Sequence, residues 1–268
     1  MAHSREQDEP QLSVVIPCYN EEANLRRGVL EEVLAYLQDQ PRPWELIIAD
    51  DGSSDASLTL CREFAQGHTG ARVLALPHGG KPAAVYGGIC EARGTIVLFT
   101  DMDQSTPLAE ADKLLPWFER GYDIVIGSRG LERTGFSLGR RVASRVFRIA
   151  RGLVILREIR DTQCGFKALR REVAAKLFPT LSFFADRGAR TGWTVSAFDV
   201  ELLYIARQWA IPIKEVEVAW RNRDVSTTKG RGRSQFVRES LEMARQVVTI
   251  LRNQAAGKYR PREEGECA

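Results

Sequence analysis

The stretch LSVVIPCYNEE, residues 12–22, decides how the rest of the chain is read. Leu12 to Ile16 is a short apolar, β-branched run closed by Pro17, the pattern of a strand covered on both faces, and a polar, acidic turn follows at once. Leu25, Val29, Val33 and Leu37 then recur every four residues, with Leu30 and Leu34 beside them, which predicts a core-facing helix ending before Pro41. The unit repeats downstream. Strands over 44–49, 71–76, 95–100 and 122–126 alternate with helices over 55–65, 81–92 and 108–120. Alternation at this spacing gives right-handed βαβ crossovers, hence an α/β fold with an open, Rossmann-like, mostly parallel sheet and helices on both faces.

After Gly127 the rhythm changes. Residues 129–137 read as loop, 138–157 as a basic helix, 165–170 as a strand and 195–209 as a helix. Residues 211–220 alternate apolar and polar like a strand with one covered face. The expected organisation is a disordered lead over 1–11, one α/β domain over 12–220, a basic loop and C-terminal amphipathic helix over 221–252, and a disordered tail over 253–268.

Composition narrows the class. The 268 residues carry 38 Lys+Arg against 35 Asp+Glu and are 44% hydrophobic, the balance of a folded chain with a substantial core. No run reaches the roughly 18 apolar residues of a membrane span, and the start, MAHSREQDEP, is polar where a secretory signal is apolar, so a cytoplasmic chain is expected. The five cysteines are irregularly spaced and read as small buried residues, without a metal pair or a disulfide framework. A net charge of +3, with basic residues set among aliphatics rather than aromatics, argues against a nucleic-acid partner.

In an open parallel sheet the ligand sits beyond the carboxyl ends of the strands. Four such ends carry chemistry here: Pro17 to Glu22, Asp50 to Asp55, His78 to Lys81, and Asp101 to Asp103. Asp101 and Asp103, two apart after an extended run, are expected to project to one side with Met102 turned away. Two carboxylates facing together repel unless a cation lies between them, and Mg2+ or Mn2+ bridging to a diphosphate meets that need. Alone, the pair also reads as a solvated turn capping the next helix; agreement among four rims decides for the cation. Asp50 and Asp51, being adjacent, face opposite ways, one toward a base or ribose and the other toward the metal side, while Asp55 reads as a helix cap. Lys81, after two glycines at a helix start, is placed to reach a phosphate oxygen. Pro82 stands where a Walker A loop has Ser or Thr, and no GxGxxG follows the first strand.

Together VVIPCYNEE, IIADDGSSD, GGKPAAVYGG, FTDMDQST, Gly127-Ser128-Arg129 and DTQCGFK at 161–167 resemble family 2 glycosyltransferases of the GT-A fold, over roughly residues 12–220. Within that family the likeness is to the polyprenyl-phosphate sugar synthases, and DTQCGFK with FDVELL leans toward glucose-type enzymes. The resemblance implies transfer of a hexose, with UDP-glucose favoured over GDP-mannose, to a polyprenyl phosphate. It implies a nucleotide-sugar site at Pro17, Tyr19, Asn20, Glu21, Asp50, Asp51, Lys81, Asp101 and Gln104, and a Mg2+ or Mn2+ site at Asp101 and Asp103. Asp103, Asp199 and Arg129 become the catalytic candidates, with Arg129 and residues 161–167 on the sugar and acceptor side. Many relatives carry membrane-spanning helices at an end, which this sequence lacks, so the expected anchor is peripheral, at the inner membrane face, or belongs to another protein.

Two basic clusters bear on the acceptor. Arg140, Arg141, Arg145, Arg148, Arg151, Arg157 and Arg160 alternate with aliphatics, as suits an anionic membrane surface and a lipid phosphate; Arg221, Arg223, Lys229, Arg231 and Arg233 follow the last strand. Arg140, Arg141, Lys229 and Arg231 are the candidates for the acceptor phosphate. Asp199 and Glu201 are candidate acids on a helix. A hydroxyl acceptor would need one as general base, whereas a phosphate monoester, with a second pKa near 6, is already charged at neutral pH and needs positioning instead. A soluble family member acting on a hydroxyl is therefore the rival reading, and a non-catalytic sugar-nucleotide module is a more distant one.

Overall fold

The computed structural model describes residues 9–130, 159–185, 198–225 and 248–260. The lead before residue 9, the basic helix at 138–157, Arg140, Arg141, Lys229, Arg231, the start of the 235–252 helix and the tail from 261 lie outside the described residues.

Seven strands form one sheet: β1 (Leu12–Cys18), β2 (Trp44–Asp50), β3 (Ala71–Ala75), β4 (Ile96–Phe99), β5 (Ile124–Ser128), β6 (Lys167–Arg170) and β7 (Ile213–Glu217), in the order β3-β2-β1-β4-β6-β5-β7. β1 to β4 are mutually parallel, as the βαβ rhythm predicts. β6 enters antiparallel between β4 and β5, and β7 returns parallel to β5. This antiparallel insert falls where the alternation stops, so periodicity gave no guide to its neighbours.

Side chains alternate across the pleat and divide the core in two. Val14, Ile16, Leu46, Ile48 and Leu98 face one way, under α2 (Val29–Gln38) and α3 (Ser57–Gly67). Val15, Ile47, Val97 and Phe99 face the other, under α4 (Lys81–Glu91), α6 (Arg171–Leu177) and α8 (Phe198–Gln208). Both faces are thus covered, which is why β1 and β2 are apolar without alternation.

The structure corrects two expected helices. The one over 25–37 is broken: α1 (Glu22–Leu25) ends and α2 begins after Gly28, whose φ of +81° is left-handed. Glycine accepts that conformation without a Cβ clash, and the four-residue stripe survives because Leu25 and Val29 still reach one core. The helix over 108–120 is a 3-10 turn, Leu108–Glu110, then α5 (Ala111–Leu114), then a second 3-10 turn, Leu115–Trp117, where Pro116 lacks an amide hydrogen to continue the helix. α7 (Ser182–Ala185) is a single turn, and residues 248–255 are helical with Tyr259 buried beyond them, so the disorder expected from 253 does not hold over 253–260. No helix among the described residues is long and apolar enough to cross a membrane. Cys18, Cys61 and Cys164 are buried free thiols, but Cys90 is disulfide-bonded, which the spacing did not foretell.

Candidate active site

β1 lies between β2 and β4, so the chain switches direction across the sheet at the β1–β4 boundary, where an open α/β sheet leaves a crevice at its carboxyl rim. The loops after β1 and β2 are laced together there. Asn20, at a left-handed φ of +54°, accepts from the Ser54 amide at 2.8 Å and donates its own amide to Ser53 Oγ at 3.0 Å. The Glu21 amide donates to Ser57 Oγ at 2.7 Å, and Glu21 Oε2 accepts from Asn24 Nδ2 at 2.5 Å. Asp55 accepts from the Glu22 and Ser57 amides at 3.2 and 2.9 Å, a structural part, although the cap position itself falls on Ala56 and not on Asp55 as expected. Pro17 sits inside β1, in register with Ala49.

The paired aspartates diverge, but not as anticipated. Asp50 Oδ2 accepts from the Ser53 amide at 3.1 Å, and its Oδ1 is buried without a hydrogen-bond partner. Asp51 does not turn to the metal side. Its carboxylate, fully buried, receives the Gly79 and Gly80 amides at 2.8 and 2.9 Å, and His78 Nδ1 lies 2.9 Å from both the Asp51 carbonyl and Oδ2, which pins the loop after β3. Burial raises the Asp51 pKa, and the two amides and His78 only partly oppose that. His78 in turn stacks on Tyr19 with ring centroids 4.3 Å apart.

Asp101 and Asp103 leave the strand before they act. β4 ends at Phe99, and residues 102 and 103 form a turn, so the expected extended geometry does not apply. Met102 does turn inward, into the core. Asp103 Oδ1 accepts from the Ser105 amide at 2.8 Å. Asp101 Oδ1 receives the ammonium of Lys81, the first residue of α4. Burial lowers the Lys81 pKa, but the charges of Asp101, then Asp199, and more weakly Asp103, outweigh it and leave the pKa raised. Two neighbouring acids and the distant Asp199 thus favour the charged form of one ammonium. Lys81, expected on a phosphate, is held by Asp101. Gln104, at φ +49°, donates its side-chain amide to the Asp101 carbonyl at 2.9 Å and buttresses the turn.

A second layer lies behind. A Cβ on Gly165 would come 2.1 Å from Asp101 Oδ2, so only glycine lets the 164–166 backbone lie against that carboxylate. Lys167, fully buried, donates to Asp199 Oδ1 at 2.6 Å. Arg129 grips Asp161 with two prongs, Nε to Oδ2 at 2.7 Å and Nη2 to Oδ1 at 2.8 Å, and its guanidinium lies 5.7 Å from the Trp220 ring centre. Glu201 faces away from this group and accepts from the Ser182 amide, Ser182 Oγ and Tyr259 Oη.

Sequence reasoning placed Gly165 in the 161–167 turn and His78 at a strand end but missed what each does: Gly165 makes room for the Asp101 carboxylate and His78 is tied to Asp51, contacts that neither position foretells. Among the described residues no group of three or more His, Cys, Asp or Glu could hold a metal ion unaided. Asp101 and Asp103 fit Mg2+ or Mn2+ nevertheless, because both offer hard oxygen donors and the ammonium of Lys81 already occupies a cation's place on Asp101. Such ions commonly take one or two carboxylates and complete their shell with substrate phosphate oxygens and water.

A family model described as glycosyl transferase family 2 matches residues 13–178. The dolichyl-phosphate beta-glucosyltransferase of Drosophila melanogaster is 37% identical over 236 residues, covering 81% of this chain and 68% of that protein. The enzyme of the same name from Mus musculus is 38% identical over 231 residues, covering 78% and 67%. In fold, the chain resembles glucosyl-3-phosphoglycerate synthase from Mycobacterium tuberculosis, solved with Mn2+, UDP and glucosyl-3-phosphoglycerate, at a TM-score of 0.60 and 22% identity over 90% of this chain and 78% of that one.

Proposed function

Because the chain belongs to glycosyl transferase family 2 and carries its chemistry on one rim of a GT-A sheet, we propose that it transfers glucose from UDP-glucose to a polyprenyl phosphate with inversion at the anomeric carbon. The observation that carries this reading is that the loops after β1, β2, β3 and β4 meet at one rim beside the β1–β4 switch point, where Lys81 pairs with Asp101.

The Tyr19 to Glu21 loop and Asp50 hold the nucleoside, the buried Oδ1 of Asp50 being an acceptor that awaits a donor. Asp51 acts at one remove, by fixing His78 and the glycines ahead of Lys81. Asp101 and Asp103 would hold Mg2+ or Mn2+, which would supply positive charge to the diphosphate leaving group. Lys81 and Arg129 add fixed positive charge at the same rim. The acceptor is a phosphate monoester, mostly ionised at neutral pH, so attack needs orientation rather than proton removal. Arg140, Arg141, Lys229 and Arg231 receive it, and the alternation of arginines with aliphatic residues over 138–160 suits peripheral contact with the inner face of an anionic membrane.

The engagement of Asp199 by Lys167 supports this acceptor over a hydroxyl, since the acid orients a buried ammonium instead of standing beside an acceptor. The test is incubation with radiolabelled UDP-glucose or GDP-mannose, Mn2+ and a short-chain polyprenyl phosphate, followed by organic extraction. Label from UDP-glucose should enter the organic phase. Label that remains aqueous, or reaches only added saccharides, would refute the lipid-phosphate reading.

A further inference from the structure

The guanidinium of Arg27 bridges two segments that lie far apart in sequence. Half-buried just before the Gly28 break, it donates from Nη2 to the Asp103 carbonyl at 3.0 Å and from Nη1 to the Arg223 carbonyl. Its Nε is buried and without a hydrogen-bond partner. Both bonds go to carbonyl oxygens, and a buried N–H left unpaired is costly enough to need an explanation.

Residues 219–225 lie as a strap along the Asp103 turn. The Ala219 amide donates to Glu110 Oε2 at 2.9 Å, the Arg221 amide to the Ser105 carbonyl at 2.8 Å, and the Arg223 amide to Ser105 Oγ at 3.2 Å. The Arg223 guanidinium grips Glu32 of α2 by two bonds of 2.7 Å. Asn24 of α1 donates to Asp224 Oδ1 at 3.3 Å. Ser105 is the shared pin: its amide holds Asp103 Oδ1, while its carbonyl and hydroxyl hold the strap.

We propose that Arg27 is a positioning residue for the donor diphosphate: it locks the Asp103 turn and the 219–225 strap into one rigid piece, so that the Asp103 carboxylate is held at a fixed depth. The inference rests on the reading of Asp103 as a metal and diphosphate ligand. Its carboxylate is fixed at one end by the Ser105 amide and its carbonyl at the other by Arg27, so loss of Arg27 frees the backbone end alone.

The test is calorimetry of Mn2+–UDP binding, with KM and kcat for UDP-glucose and the melting temperature, on Arg27→Gln, Arg27→Lys, Ser105→Ala and the Arg27→Gln/Ser105→Ala pair. Arg27→Gln should weaken Mn2+–UDP binding about tenfold, the scale of losing a group that orients a metal ligand. It should raise KM more than it lowers kcat, with a melting temperature close to the parent's. Arg27→Lys should recover part of the loss, since it keeps the charge but not the fork. Ser105→Ala should move binding the same way, and the double variant should be no weaker than Arg27→Gln alone, because both loosen one coupled unit. Parent-like binding in Arg27→Gln and Ser105→Ala, or losses that multiply, overturns the proposal. Should Arg27→Gln not fold, Arg27→Lys and Ser105→Ala decide by the same comparison. A parent that does not bind Mn2+–UDP would instead overturn the donor-site reading.

Discussion

Gly165 lies against the Asp101 carboxylate, with no room for even a methyl group between them. Gly165→Ala should therefore push Asp101 away from Lys81 and cut turnover at least about tenfold while the fold persists, a loss of ~1.4 kcal/mol or more in transition-state stabilisation. Steady-state kinetics beside a thermal melt checks this; an alanine variant with parent kinetics would show that Asp101 has slack. Lys167 and Asp199 answer a different question. Both are buried, so Lys167→Met leaves a carboxylate without its counter-charge and should cost about 3–5 kcal/mol by urea unfolding. Restoring stability by adding Asp199→Asn to Lys167→Met would confirm that the cost is the lone charge. The sequence made Asp199 visible as an acid on a helix, but not its partner, because the two lie 32 positions apart and meet only when α8 packs beneath β6.

At the scale of elements, the end of the sheet opposite the active rim is fixed by Glu45 of β2. Buried, it accepts from Ser13 Oγ and the Arg93 amide at 2.6 Å each and from Arg72 Nη2 at 3.1 Å, joining β1, β2, β3 and the segment entering β4. Burial pushes the Glu45 pKa up, yet the Ser13, Arg93 and Arg72 donors prevail and hold it below the ordinary glutamate value of 4.5. A depressed carboxylate pKa stabilises the fold above the unfolded-state value and loses that contribution as pH falls through the folded one. Glu45→Gln should thus cost about 2 kcal/mol at pH 7, with the gap to the parent closing well below pH 4.5. A gap independent of pH would contradict this. None of the clamp was legible in advance: Glu45 reads as one polar residue at a strand start, and its arginines come from other turns of the chain. The strands themselves were legible because burial on both faces demands continuous apolar runs, whereas the Gly28 break was not, since a left-handed residue leaves the four-residue stripe intact.

Across the whole molecule, the sheet order gathers what the linear sequence scatters. β1 brings Tyr19 to Glu21, β2 brings Asp50, α4 brings Lys81, and β4 brings Asp101 and Asp103 to one rim, while β6 and α8 supply Lys167 and Asp199 from behind. The rim was readable because each strand end is local and the α/β architecture fixes where strand ends meet. Partners within the rim were not readable: Asp51 reaches the loop after β3, Lys81 reaches Asp101, and Arg129 reaches Asp161, each through a contact across loops. On the proposed reading, Asp101 and Asp103 form, with a divalent ion, the diphosphate end of a sugar-nucleotide site. Calorimetry of UDP-glucose with the parent and Asp103→Ala, with and without Mn2+, decides this. Binding by the parent that requires Mn2+ and vanishes in Asp103→Ala is the predicted result; binding that ignores the metal, or survives unchanged in Asp103→Ala, would contradict it.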